Sequence, residues 1–242
     1  MKPQFERTAL LFGDAAIEAL ASKRVAVFGL GGVGGSVVEA LARAGVGALD
    51  LIDHDVFDET NINRQALATH SAIGRPKVEV GRDRVLDINP DCVVRAHQCF
   101  YLPETRDQIN FADFDYVVDA VDTVTGKLLL IEQAQAANTP IICAMGAGNK
   151  MDPSAFRIAD IYDTTICPLA KIIRKESRKR GFSGFKVAYS TEPAIWTTDP
   201  ATPGSTPFVP PAMGLVMAAE VVRDLIADVP APKRPDHREP TR

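Results

Sequence analysis

Three glycines, Gly29, Gly31 and Gly34, stand at the G-x-G-x-x-G spacing in a stretch that opens with the apolar run Arg24-Val-Ala-Val-Phe. A helical pattern follows them, and that strand-to-helix context gives the spacing its meaning. The first glycine then permits a tight turn, the second lets a phosphate approach the backbone, and the third lets the helix pack closely. Free N–H groups at the start of the helix make an anion site. The next apolar run ends in Asp53, His54 and Asp55, and Asp53 falls where a carboxylate accepts hydrogen bonds from ribose hydroxyls. A glycine turn alone would only pack a helix on a sheet. With both strands, the helix and the acid present, the residues predict a bound nucleotide.

After these acids come Asn61, Asn63, Arg64 and Gln65, then Gly74-Arg-Pro-Lys ending at Lys77. Two cations and two amides near the phosphates suit a triphosphate that is cleaved. The Asn61–Gln65 stretch also reads as a turn rich in capping side chains. Pro76 is typical of a first helical turn, so Lys77 should project from that turn. A cation there opposes the helix dipole unless an anion lies between them, and phosphate is the anion expected. Phe114 to Asp122 reads as a buried strand that brings Asp119 and Asp122 to its carboxyl end, the end that carries the site in open α/β sheets. Asp119 reads equally as a capping or loop acid.

These residues need a scaffold, and the pattern supplies one. Strands are expected over 24–28, 48–53, 92–99, 114–122, 140–145, 157–161 and 185–190. Helices are expected over 5–22 with a break at Gly13, then 33–44, 76–88, 125–137, 171–180 and 212–228, with a short helical connection over 102–111. The alternation predicts an α/β fold, a mostly parallel sheet flanked by helices, with right-handed crossovers. Residues 1–228 are expected as one domain and 229–242 as a charged, proline-rich, disordered tail. The Pro, Thr, Gly and Ser of 197–211 predict a long loop, mobile or folded over the site.

The net charge of −4 excludes a globally basic nucleic-acid binder, so any RNA contact must be regional. One region qualifies: Lys171, Arg174, Lys175, Arg178, Lys179 and Arg180 lie within ten positions, with Leu169, Ile172 and Ile173 available to pack. A solvated charged face is the usual reading of such a run; on an acidic chain, directly after Cys-Pro-Leu and inside the stretch whose motifs resemble a known family, this helix reads instead as a binder of RNA backbone. Phe182 and Phe185 either stack on bases or join the core. Cys92, Cys99, Cys143 and Cys167 form no C-x-x-C pair, which predicts reduced thiols in a cytoplasmic protein and no structural zinc. Cys143 reads as a small core residue, and Cys167, before a proline and without an evident base, as structural more than nucleophilic. Glu6, Arg7, Asp14 and Glu18 break up the N-terminal apolar residues, which excludes a signal peptide there. Residues 212–228 include Glu220, Arg223 and Asp224 and are short for a bilayer, so no membrane association is expected.

The motifs GLGGVGGSVVEALARAGVG, LIDHDVFDETNINRQ, GRPKVEV, INPDC, YVVDAVDTVTGK, MGAGNKMDP, CPLAKIIRKESRKRG and YSTEPAI run from near the N-terminus almost to residue 200. In this order and spacing they resemble the ATP-dependent adenylating enzymes related to ubiquitin-activating enzymes and bacterial sulfur-carrier activators. Within that group the chain is most similar to the tRNA threonylcarbamoyladenosine dehydratases. The resemblance implies a Rossmann-like adenylating fold with a basic helical insertion over about 163–212, and it implies ATP and Mg²⁺, with room for a monovalent cation. It assigns the nucleotide to Gly29, Gly31 and Gly34, the ribose to Asp53 with Asp55 beside it, phosphate contacts to Asn61, Arg64 and Lys77, and Mg²⁺ through ATP to Asp122. Arg7 reads either as a solvated charge or as an arginine reaching the triphosphate of a partner subunit across a homodimer. The implied partners are tRNA bearing threonylcarbamoyladenosine, a second copy, and a sulfur-transfer system. The implied reaction adenylates the threonyl carboxylate, which is then attacked from within the same modification, closing a ring with loss of water. Two other readings remain: an adenylyltransferase activating the C-terminus of a ubiquitin-like sulfur carrier, and a nucleotide-binding adaptor without turnover. The missing C-x-x-C pairs weigh against zinc-bearing activators, and retention of Arg64, Lys77 and Asp122 weighs against the adaptor.

Overall fold

In the computed structural model, which describes residues 2–197, 202–230 and 232, the apolar runs become seven strands of one sheet. They are β1 (Arg24–Phe28), β2 (Ala48–Ile52), β3 (Val93–His97), β4 (Tyr116–Asp119), β5 (Ile141–Ala144), β6 (Phe156–Asp160) and β7 (Lys186–Ser190). Their order is β3-β2-β1-β4-β5-β7-β6, parallel throughout except for β6, which runs antiparallel to β7 at one edge. Val25 to Phe28 have no exposed surface, as expected of a parallel strand covered on both faces.

The helices are α1 (Glu6–Phe12), α2 (Asp14–Ala21), α3 (Gly34–Ala44), α4 (Lys77–Ile88), α5 (Val124–Ala136), α6 (Pro168–Arg180) and α7 (Val209–Leu225). One core layer joins α3, α4 and α7 to the sheet through residues such as Val37, Leu41, Val78 and Met213. The opposite layer holds α5 and α6 through Leu130, Ile131 and Ile173, with Phe111 and Phe185 filling beside them. The strand order turns back at β1, whose neighbours β2 and β4 continue on opposite sides. In such sheets the crevice opens at the carboxyl ends flanking that reversal, and the glycine turn, Asp53 and Asp122 all follow those strand ends.

Several boundaries differ from the expected ones. Helix α7 starts three residues early because Pro210 and Pro211 lie in its first turn, where the missing N–H groups have no helical partner anyway. The stretch 102–111 contains a 3₁₀ turn at Arg106–Gln108 and no α-helix. Strand β4 stops at Asp119, short of Asp122, and β3 spans only Val93–His97. Residues 163–212, expected as an insertion, contribute β7, which is hydrogen-bonded between β5 and β6; the segment is integral to the sheet. Most of the expected tail, and residues 198–201 of the expected loop, lie outside the described residues. No helix among the described residues is long and apolar enough to cross a membrane.

Candidate active site

The turn after β1 is fixed from two sides. The Gly29 N–H donates to Ile52 O at 2.8 Å; its φ is +88°, and a Cβ there would lie 2.6 Å from Ala120 O. At Gly34 a Cβ would meet Gly29 O at 1.7 Å, so the third glycine lets α3 start directly on the turn. Gly31 has nothing within 4 Å of its would-be Cβ and lines the cleft, as a backbone position that a phosphate approaches should.

Asp53 is buried and serves the protein first. One carboxylate oxygen accepts from the Leu30 N–H at 2.6 Å and the other from the Asp55 N–H at 2.9 Å. The acid expected to hold ribose therefore also braces the glycine turn, with lone pairs left over at the cleft.

Lys77 opens α4, 6% exposed, and its Nζ donates to Asp55 Oδ2 at 2.8 Å. The anion that the dipole argument required at this position is thus supplied by the protein itself, as Asp55. Two ammonium N–H groups remain for a ligand. Asp55 also lies 3.1 Å from His54 Nε2. Asn61 completes a capping box, its Oδ1 accepting from the Asp58 N–H at 3.2 Å, so its capping role is real alongside its place on the cleft wall. Arg64 is half-buried, with Nη1 donating to Thr60 O and Asn63 Oδ1, both at 2.9 Å. Those bonds hold its guanidinium fork in one orientation.

Beyond β4, Asp122 is exposed at the cleft rim, while Asp119 is fully buried. Lys127 Nζ meets both Asp119 oxygens at 3.2 and 3.1 Å and Ala144 O at 2.6 Å. Burial pushes the Asp119 carboxyl up, opposed by the Lys127 charge. Asp119 Oδ1 also accepts from the Val121 N–H at 3.1 Å, so this pair braces the loop that presents Asp122. Sequence reasoning left Asp119 open and missed Lys127, which looks like any helical lysine. The one available signal was an acid at a strand end eight residues before it.

The cleft encloses about 360 Å³ and is lined by Gly29, Gly31, Asp53, Asp55, Asn61, Arg64, Lys77 and Asp122, a volume within the range of ligand pockets. Phe28, Ile52, Tyr101 and Leu130 give it an apolar wall, with Phe28 and Tyr101 edge to face at 5.0 Å. Tyr101 was not anticipated, since residues 99–101 lack periodicity. Gln65 also lines the cleft, and its buried Oε1 has no partner among the described residues. Such an orphan acceptor suits a ligand hydroxyl or amine. For a divalent ion the hard oxygen donors are the exposed Asp122 carboxylate and those of Asp53 and Asp55, which with His54 form a trio whose ligand atoms lie within 4.8 Å of one another. Both the nucleotide and the ion therefore fit the residues present.

Gly34 lies beneath the turn, away from the cleft wall. Arg7 is exposed on α1 and is absent from the residues lining the cleft of its own chain. On α6, Lys171, Lys175 and Lys179 are exposed. Arg178 lies over the Tyr162 ring at 5.3 Å and Arg180 sits 3.6 Å from Glu132. Arg174 departs from expectation: it turns inward, with Nη1 donating to Thr164 O and Oγ1 at 2.8 and 2.5 Å, so it anchors the helix instead of facing solvent. Ile173 is buried and Ile172 is 47% exposed, the helix having only one apolar row against α5. Phe185 is buried and Phe182 packs on the same core, so neither is a stacking platform. Cys143 and Cys167 are both buried, and burial holds the Cys143 thiol well above its ordinary pKa, which fits structural roles.

Comparison with known proteins agrees with this architecture. The model of the ThiF family matches residues 5–237. The chain is 41% identical over 246 residues to the tRNA threonylcarbamoyladenosine dehydratase of Bacillus subtilis, covering 95% of this chain and 97% of that protein. It is 34% identical over 209 residues to the Escherichia coli protein of the same name, covering 83% of this chain and 78% of that one. A crystal structure of E. coli TcdA in complex with ATP matches with a TM-score of 0.87 at 33% identity, over 93% of this chain and 94% of that chain. With the sheet order, the glycine turn and the cleft cations Arg64 and Lys77 already in place, these matches lead to one conclusion: the chain belongs to the ThiF family.

Proposed function

We propose that this protein is an ATP-dependent tRNA threonylcarbamoyladenosine dehydratase. The observation that carries the reading is the gathering of the glycine turn, Arg64, Lys77 and Asp122 in one cleft at the reversal of strand order. The reading is supported by relatives of that name that match along most of the chain.

In this reaction the threonyl carboxylate displaces pyrophosphate from ATP. An atom of the same modification then attacks the activated carbonyl, and AMP leaves with the former carboxylate oxygen. The modification is left lighter by one water. Because the attacker is already tethered, orientation supplies much of the rate. The N–H groups of the glycine turn and the phosphate-facing donors of Arg64 and Lys77 neutralise charge as pyrophosphate departs. Asn61 and Gln65 add amide contacts, Asp53 takes the ribose, and Asp122 positions Mg²⁺ through the triphosphate, a role that hard oxygen ligands suit. A monovalent cation and a sulfur-transfer partner remain compatible with this scheme.

Lys171, Lys175, Arg178, Lys179 and Arg180 form the tRNA contact on α6. On α1, Arg7 shares an exposed face with Leu10 and Leu11, which are 82% and 75% exposed. A second copy seated on these leucines would carry Arg7 towards the partner's cleft, making the working unit a cytoplasmic homodimer. The test is pyrophosphate and AMP release from ATP and Mg²⁺ with tRNA bearing threonylcarbamoyladenosine, with the same tRNA lacking it, and with a ubiquitin-like sulfur carrier. Release with only the modified tRNA supports the reading. Release with only the carrier replaces it with carrier activation, and no release with any substrate favours a non-catalytic adaptor.

A further inference from the structure

Trp196, the sole tryptophan of the chain, is 94% exposed. A side chain of that size usually buries most of its surface, so its position needs a reason. The backbone that presents it is anchored on both sides by Asn149, which adopts a positive φ of 57°. The Asn149 carbonyl accepts from the Ile195 N–H at 2.8 Å, and its side-chain Oδ1 accepts from the Gly204 N–H at 2.6 Å. Ser205 O, one residue further, accepts from Asn63 Nδ2 at 3.3 Å, next to the cleft residue Arg64. The indole therefore projects from a clamp tied to the rim of the nucleotide cleft.

The start of α6 reaches the same connection. Cys167 Sγ lies 3.7 Å from where a Cβ of Gly146 would be, three residues from Asn149. Ile166 beside it is 58% exposed with φ +60°, an unusual conformation for a β-branched residue. From that point α6 carries Lys171, Lys175 and Lys179 at four-residue spacing, all exposed, which places them in one stripe. The 146–149 connection thus touches both the backbone that presents the exposed aromatic and the start of the helix that carries the basic stripe, and an aromatic with a basic track is the combination that binds unpaired nucleotides: cations track the backbone while the ring stacks on a base.

Resting on the dehydratase reading, we propose that Trp196 is the stacking platform for an unpaired base of the tRNA, at or next to the modified adenosine. It positions the substrate without taking part in the bond changes.

Because no other indole is present, tryptophan emission reports on this position alone. Titrating the protein with tRNA bearing threonylcarbamoyladenosine should quench that emission, with the same midpoint as complex formation followed by filter binding. Trp196→Ala should raise KM for the tRNA on the order of 5- to 100-fold, leave KM for ATP unchanged, and be largely rescued by Trp196→Phe. Full complex formation with unaltered emission, or a Trp196→Ala enzyme with wild-type KM for tRNA, would overturn the proposal. So would emission that depends on protein concentration without RNA, which would mean a second copy covers the ring. A wild-type protein that neither binds nor dehydrates this tRNA would instead overturn the dehydratase reading itself, whereas dehydration with an indifferent indole overturns only the stacking role.

Discussion

Replacing Gly34 by alanine tests how the glycine turn is built. The added Cβ would sit 1.7 Å from Gly29 O, 2.9 Å from Gly29 C and 3.2 Å from the Ala120 Cβ. The closest of these is backbone, so no flexible side chain can yield. Reaching even 3.0 Å, the lower limit for real Cβ contacts, requires a displacement of about 1.3 Å. Overpacking of this kind costs about 3 kcal/mol, the upper end of the usual range. Gly34 is the first residue of α3, so alanine's helix-interior advantage offsets only a fraction of this and a net loss of about 2–3 kcal/mol remains. The displaced group is the turn proposed to meet phosphate, and a shift of about 1 Å in a positioning element costs on the order of 100-fold in rate. Gly34→Ala should therefore lower both the urea midpoint and ATP affinity by calorimetry. Gly31→Ala separates the two effects. Its Cβ meets nothing within 4 Å, so stability should stay within about 0.5 kcal/mol while ATP binding weakens. A Gly34→Ala protein with wild-type stability and ATP affinity would refute the reasoning.

Lys127→Met leaves the Asp119 carboxylate buried without its partner and should destabilise by about 3–5 kcal/mol, with Asp119→Leu in the same chain recovering a large part of it; chemical denaturation of the wild type and the two variants decides. Arg7→Ala and Arg64→Ala should each be nearly inactive, yet unfolding and refolding them together should restore about a quarter of wild-type activity, because half of the dimers are mixed and each mixed dimer holds one complete site. If Arg7 acts within its own chain, the mixture stays inactive. Replacing Lys171, Lys175 and Lys179 together by alanine should lower the salt dependence of tRNA binding by about one unit of slope per lysine, with KM for ATP unchanged; an unaltered slope would remove α6 from the RNA path.

The sheet was legible because strands buried on both faces leave continuous apolar runs, as Val25 to Phe28 do, and because glycine spacing marks a turn. The cleft was legible where geometry demands a residue type: Gly31 for access, Lys77 at a helix start, acids at strand ends. Pairing inside the site was not legible. Nothing local in the sequence shows that Lys77 would be met by Asp55, or that Asp53 would spend both oxygens on backbone N–H groups. Asp119 and Lys127 are eight residues apart on different elements, and only the packing of α5 on the sheet makes them a pair. On α6 the composition suggested a uniform basic face, but helical geometry turns Arg174 to Thr164, and the count of charges could not reveal which one points inward. Tyr101 and Trp196 owe their positions to loops, whose course follows from long-range contacts such as those of Asn149.

The central claim is that one cleft activates a carboxylate on tRNA with ATP. Its most direct test is to incubate the purified protein with ATP, Mg²⁺ and tRNA bearing threonylcarbamoyladenosine, digest gently, and weigh the modified nucleoside by mass spectrometry, with Arg64→Ala and Asp122→Ala alongside. The account predicts a nucleoside lighter by one water, formed only with ATP and only by the wild-type protein. A nucleoside of unchanged mass, under conditions where a known dehydratase converts it, would contradict the account.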